Sequence, residues 1–416
     1  MLLTMPDHPP QPSEKSLRDR VPSSGKKRIV MILTLIMFTT TMDFMVLMPL
    51  GPKLMSLFSI SPQQFSFLVS IYSFTAGICG FLGSLIFDRI DRKYALLGAY
   101  VGFLLGTVFC AFATSYSVLL IARAVSGAFG GLLSGISYAV VGDLFSIHER
   151  GQATGKLMAS YSLASILGVP TGLFLANHFG WHATFGSIVV IGSIALVLAI
   201  QVMPNIRSHL RSHYSGIFSG ITENFSDKNS RTALATTLFM VHSQFVVIPF
   251  ISSYLVSNTG FPENHLPNVY LLGGLVTVLC GILIGKVCDR YGARMIFKKT
   301  GLLFLIPVFF ITHLGHVGIG VTLLVTTSIF ALSSFRTVPG ITMIASSIPP
   351  SRRGSFMSLN SCVHQLGSAS ATFMAGWLIT QAPGTTEMTG FAHMAWISMG
   401  FGLVAYFLGQ RIQLVS

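Results

Sequence analysis

The chain has 416 residues, of which 51% are hydrophobic and only 9% charged, with a mean hydropathy of +0.70. Soluble domains carry about 25% charged residues, so a soluble enzyme and a disordered chain are both excluded and a polytopic membrane protein remains. The formal charge of +13 is dealt out in small packets between apolar runs. That pattern argues against a nucleic-acid partner and for charge that sets membrane topology.

Residues 1–28 are polar and proline-rich and end in Lys26-Lys27-Arg28. No short apolar core with a small-residue cleavage site occurs there, so the stretch reads as a disordered cytoplasmic tail rather than a signal peptide. A helix needs about 20 apolar residues to cross the hydrocarbon core. Twelve runs satisfy this: 29–50, 64–87, 94–114, 117–142, 153–177, 182–203, 232–256, 267–288, 296–315, 318–346, 355–380 and 390–410. The polar segment 204–231 reads as a linker between an N-terminal bundle, 29–203, and a C-terminal bundle, 232–411. With the N-terminus inside, 23 of the 26 lysines and arginines fall in the tail, in cytoplasmic loops or at the cytoplasmic ends of spans. Only Lys53 lies in an outer loop, and Arg123 and Arg336 lie within spans. A miscount by one would put the basic loops of the second half on the wrong side, so twelve spans with both termini cytoplasmic is the expected topology. The five cysteines fall within or at the ends of apolar runs with no metal-ligand spacing, and read as small core residues.

The sequence repeats itself. "SLIFDRIDRK" (84–93), between spans two and three, is matched by "GKVCDRYGAR" (285–294), between spans eight and nine. Arg150-Gly151 before span five is matched by Arg353-Gly354 before span eleven, at nearly the same offset. Two markers in register indicate a duplicated six-helix unit, a plan that places a substrate site between the halves near the bilayer midplane.

These residues carry a resemblance to the major facilitator superfamily over nearly all of the chain after the tail. The family's loop motif is kept in part by the first copy, through Asp88, Arg89, Arg92 and Lys93, with Ser84 and Asp91 where the motif has glycine. The second copy keeps Gly285, Asp289, Arg290, Gly292 and Arg294. "ARAVSGAFGG" (122–131) resembles the motif of proton-driven members, with its intramembrane Arg123. "ILGVPTGLFL" (166–175) with "FGWHATF" resembles the antiporter motif of the sugar-efflux and drug:proton branch, although His182 replaces an arginine and Val169 splits the Gly-Pro doublet. The resemblance implies an all-α polytopic membrane protein of two pseudo-symmetric six-helix bundles. It further implies alternating access, with a small-molecule substrate and a coupling proton in place of a cofactor. A monomer in a bacterial inner membrane is the expected setting.

Three formal charges lie clearly inside spans, where a charge is costly without a partner or a cavity, rather than at their cytoplasmic ends: Asp43, Arg123 and Arg336. Asp43 and Arg123 each sit about seven residues from the outer end of a span, roughly 10 Å deep at 1.5 Å per residue. The matched depth permits an ion pair or a shared cavity. One reading makes Asp43 the proton carrier with Arg123 tuning it; the other is a static brace between spans one and four. Arg336 reads either as a counter-charge for an anionic substrate or as an arginine snorkelling to the inner interface or bonding broken-helix carbonyls near Pro339. His242, Gln244, Asn360, His364 and Gln365 are polar at membrane depth and are expected to face a central cavity, with helix–helix hydrogen bonding as the plainer alternative. Asp88, Arg89, Arg92, Lys93, Asp289, Arg290 and Arg294 are expected to latch one transport state. Gly127, Gly168, Pro170 and Gly172 are expected to allow close helix packing and bending.

The function these features favour is proton-coupled efflux of a sugar or drug-like compound. The first rival is a proton-coupled importer of an anionic metabolite, siderophore or lysolipid, using Arg336. A membrane enzyme is disfavoured because His148-Glu149 is the nearest approach to an acid–base pair, and a channel because no filter-like repeat is visible. No Walker A string is present, so direct ATP drive is not expected.

Overall fold

The structure is a computed structural model that describes residues 22–87, 89–207, 223–349, 352–381 and 387–415. The tail as far as 21, Asp88 and most of the expected linker (208–222) lie outside the described residues.

The chain is almost wholly helical, as apolar backbone in lipid requires. The elements of the first half are α1 (Ser23–Val46), α2 (Gly51–Phe58), α3 (Pro62–Phe87), α4 (Arg92–Ala111), α5 (Tyr116–Leu144), α6 (Ile147–Leu163), α7 (Val169–Phe179) and α8 (Trp181–Val202). Those of the second are α9 (Lys228–Phe245), α10 (Ile251–Asn258), α11 (Leu266–Tyr291), α12 (Ala293–Thr300), α13 (Leu305–Thr312), α14 (Ile319–Ser346), α15 (Arg353–Leu378) and α16 (Phe391–Arg411). Between α15 and α16 runs a two-residue antiparallel ladder, β1 (Thr380–Gln381) with β2 (Met388–Thr389). Gly390 follows it and leads into α16 with a φ of 99°, in the region that favours glycine.

Eleven of the twelve expected spans are long and apolar enough to cross a membrane on their own. The exception is span eleven, α15, which is 26 residues long but less apolar. Its serines, Asn360, His364 and Gln365 account for the difference, and its position explains them. α15 packs lengthwise on α3 of the other half and on α9 of its own, so little of it needs to dissolve in lipid.

The break expected near Pro339 is absent, since α14 runs through it, and breaks fall elsewhere. After span one a turn at 47–50 separates α1 from the short helix α2, span seven divides into α9 and α10 with a 3₁₀ turn at Ile248–Phe250, and span nine into α12 and α13 around a turn at 301–304. Pro52 opens α2 and Pro249 lies in the 3₁₀ turn, where a missing N–H costs nothing. The breaks after span one and in span seven sit about 200 residues apart, in register with the sequence repeat. Span five stays continuous but carries a π turn, Ala164–Gly168, just before Pro170, which absorbs the ring within the helix.

The halves meet through α3 against α15, α2 against α10, and the π turn and α7 against α11. At the end remote from the basic loops the seam is shut. Phe65 meets Phe250 edge-on at 5.7 Å, a Cβ on Gly51 would lie 2.8 Å from the Phe65 ring and 2.9 Å from Ser253 Oγ, and Gln63 donates to the Ile379 carbonyl at 3.0 Å. Farther in, Ser73 and Ser368 share a hydrogen bond at 3.3 Å and Gly77 lies against Gln365 and Leu366.

Candidate functional site

Asp43 and Arg123 face one another inside the N-terminal half. Arg123 Nη1 donates to Asp43 Oδ2 at 2.7 Å and to the Asp43 backbone carbonyl at 3.1 Å, and both side chains are wholly buried. The Arg123 guanidinium also lies over the Tyr72 ring at 4.4 Å, and the Tyr72 hydroxyl donates to the Thr40 carbonyl. Tyr72, on α3, was not singled out from the sequence because a tyrosine in an apolar run gives no signal of its own. Room for this arrangement comes from α5's glycines. A Cβ on Gly127 would strike the Tyr72 carbonyl and Thr75, and one on Gly130 would come within 2.5 Å of the Tyr72 hydroxyl. On the other flank, Gly168 lies against Met42 and Gly172 against Val46 and Thr184, so the glycines around Pro170 press span five onto the helix that carries Asp43.

Aromatic rings lead from this pair to the other half. Tyr72 meets Phe44 at 5.5 Å, Phe44 meets Phe245 of α9 at 6.2 Å, and Phe245 meets the His364 ring at 6.2 Å. His364, at the end of this row, is exposed, and so is Tyr161 of span five, at 49%.

The remaining polar residues expected in the cavity are largely bound within the C-terminal half. His242 Nδ1 contacts the Leu238 carbonyl at 2.9 Å and its Nε2 contacts Ser370 Oγ at 3.2 Å. Gln244 donates to Ser333 Oγ at 3.2 Å, and Asn360 accepts from Thr237 Oγ1 at 2.6 Å. Gln365 is half-buried at the seam with Gly77. Arg336 departs furthest from the expected placement. It is 1% exposed, so it reaches no interface, and the carbonyl it bonds belongs to Met240 of α9 rather than to its own helix. It donates to Ser243 Oγ at 2.9 Å and to the Met240 carbonyl at 3.1 Å, with its guanidinium over the Phe304 ring at 4.1 Å. No carboxylate pairs with it among the described residues. Each half thus has an arginine from its fourth span gripping its first, with an acid as partner in one half and a serine in the other.

At the basic end, Asp88 is outside the described residues and Arg89 is exposed. The strongest contacts there belong to Asp91, one of the two departures from the family motif. Its carboxylate caps α4 by accepting from Lys93 N at 3.0 Å, accepts from Ile206 N at 3.0 Å, and pairs with Arg207 Nε at 2.9 Å. Arg92 N donates to the Ile206 carbonyl, and Arg92 Nε pairs with Asp143 Oδ2 at 3.2 Å. Loop, span four and the irregular segment leaving span six are thereby strapped together. Burial pushes the Asp91 carboxyl up, but the Ile206 and Lys93 amides and the Arg207 guanidinium outweigh it and hold it below the usual carboxylate range. A depressed folded value stabilises the fold above the unfolded value of about 3.9 and loses that contribution as pH falls through the folded value. Asp91→Asn is therefore expected to cost about 2–3 kcal/mol at neutral pH. Thermal melts of the two proteins should draw together as pH falls from about 3.9 through the lower folded value.

In the second copy, Asp289 and Arg290 are exposed, Arg290 lies over the Tyr291 ring at 5.2 Å, and Arg294 donates to the Gln410 carbonyl at 2.8 Å. Glu149 of the His148-Glu149 pair closes a capping box with Ser146 and bonds Lys26 at 3.2 Å, a structural rather than acid–base placement.

Two helical bundles of membrane-crossing length thus meet along a seam, with a buried ion pair inside one of them. The chain belongs to the Major Facilitator Superfamily, whose family model matches residues 33–332 and 232–412. It is 26% identical over 371 residues to the uncharacterized MFS-type transporter YceJ of Bacillus subtilis, covering 87% of this chain and 92% of that one. It is 24% identical over 285 residues to a probable sugar efflux transporter of Mannheimia succiniciproducens, covering 66% and 68%. Among solved structures it resembles a D-xylose–proton symporter, with a TM-score of 0.76 at 17% identity over 93% of this chain and 98% of that one. It also resembles an inward-facing, unoccupied bacterial homologue of the human lysosomal transporter Spinster, with a TM-score of 0.70 at 16% identity over 94% and 98%. At these identities the structures speak for the fold.

Proposed function

We propose that the protein is a proton-coupled exporter of a small organic compound, a sugar or an amphipathic drug-like molecule, working by alternating access from the inner membrane of a bacterium with both termini and the basic loops in the cytoplasm. The observation that carries this reading is the wholly buried Asp43–Arg123 pair at 2.7 Å in a chain of this superfamily. A carboxylate so placed binds a proton when its arginine is drawn away and releases it when the arginine returns, which is the property a coupling group needs. The chain's likeness to a probable sugar efflux transporter supports export and the sugar class, and the rings of Phe44, Phe245 and Tyr161 suit the faces of a sugar or of a drug-like ligand equally. Transport then pairs one rocking of the halves with one change of the Asp43 proton. No cofactor enters the reading.

Flux in inverted vesicles under an imposed proton gradient tests it. Wild type is expected to accumulate substrate when the lumen is acid, and Asp43→Asn to lose the gradient dependence. Unchanged proton-dependent transport by Asp43→Asn would remove Asp43 from the coupling step, and accumulation under the opposite gradient would reverse the direction.

A further inference from the structure

The two copies of the Asp-Arg loop end in different electrostatic states. In the first, Arg92 is paired with Asp143 and Arg207 with Asp91. In the second, Lys286, Arg290, Arg294, Lys298, Lys299 and Arg411 are all exposed, and none is ion-paired among the described residues. The carboxylate between them, Asp289, is exposed as well. Arg294's bond to the Gln410 carbonyl draws the start of α12 against the end of α16, so cations from α11, α12 and α16 share one patch.

This patch also has an apolar component. α12 turns Ile296 and Phe297 inward and leaves Arg294, Met295, Lys298 and Lys299 outward. Tyr291 and Met295, 51% and 40% exposed, lie among the charges. These residues stand at the basic ends of spans eight, nine and twelve, at the depth where a bilayer presents its headgroups.

We propose that this patch binds anionic phospholipid headgroups. Each phosphodiester would lie between two or more ammonium or guanidinium groups, with the upper acyl chain against Tyr291 and Met295. A zwitterionic headgroup brings a cation of its own into a field that repels it, and free phosphate brings no acyl chain to meet the apolar residues. The surface is separate from the Asp43–Arg123 pair, so it stands or falls independently of proton coupling.

The test uses the intact protein in nanodiscs of phosphatidylcholine with and without phosphatidylglycerol, read by thermal midpoint and by native mass spectrometry of retained lipid. Wild type is expected to prefer phosphatidylglycerol by about tenfold. Lys298→Gln/Lys299→Gln/Arg290→Gln should lose most of that preference while keeping its midpoint in pure phosphatidylcholine. Lys27→Gln/Arg28→Gln/Lys156→Gln, an equal charge loss at exposed sites on the N-terminal half, should keep it. Equal loss in both variants would overturn the proposal in favour of general leaflet attraction. So would an absent preference in wild type, or full replacement of the lipid effect by inorganic phosphate added to phosphatidylcholine discs.

Discussion

Arg123→Met alone is expected to cost about 3–5 kcal/mol of stability, because it leaves the Asp43 carboxylate buried without its partner. The double substitution Asp43→Asn with Arg123→Met is expected to recover most of that loss. A buried pair replaced by neutral groups of similar volume is often neutral or stabilising, since neither desolvation penalty remains. Transport should not recover with it. The double variant should melt close to wild type and show no response to a proton gradient, which separates a brace between spans one and four from a proton carrier. If it moved substrate with the wild-type gradient dependence, the pair would be structural only. The measurement is a thermal melt beside a vesicle flux assay, on both single variants and the double.

The second large effect lies in the seam of α3 against α5. A Cβ on Gly131 would strike the Ala76 backbone, and one on Gly127 the Tyr72 backbone. Backbone cannot swing aside as a side chain can, so the helices must separate. Gly131→Ala and Gly127→Ala are each expected to cost about 3 kcal/mol, at the upper end of overpacking losses. Gly135→Ala, on the same helix with nothing within 4 Å, should be silent or slightly stabilising. Parallel melts of the three variants check this. Because the Gly127 contact carries Tyr72, and Tyr72 lies on Arg123, Gly127→Ala should also disturb the gradient dependence more than Gly131→Ala does.

Much of this architecture can be read from residue order. Span positions follow from apolar run length, and depth arithmetic that set Asp43 and Arg123 at one level allowed for the ion pair without requiring it. Helix breaks are less legible. Pro249 lies at a break, whereas Pro339 sits inside the continuous α14 and Pro170 is absorbed by a π turn. Whether a proline interrupts a membrane helix depends on what neighbouring groups satisfy the freed carbonyl, and that is a tertiary fact. Arg336 was misplaced for a similar reason. Its partners are a hydroxyl and a carbonyl, which leave no charge pattern to match. Three of the polar residues assigned to the cavity prove to be hydrogen-bonded to neighbouring spans, because a side chain's facing cannot be read where polar and apolar residues are mixed around a helix. Asp91 stood out only as a departure from a motif; its partners Ile206 and Arg207 lie more than a hundred residues on and follow no spacing rule.

The weak hydropathy of α15 bears on how the molecule is made. A segment rich in serine with an asparagine, a glutamine and a histidine gains little by leaving the insertion machinery for bare lipid. Its hydroxyls and amides find partners only after the amino-terminal six crossings are already assembled and α9 stands beside it. Biogenesis of this chain is accordingly ordered from one end. A fragment carrying the last two crossings without the first half would hold its penultimate helix at the bilayer surface, and the final one would enter with inverted orientation.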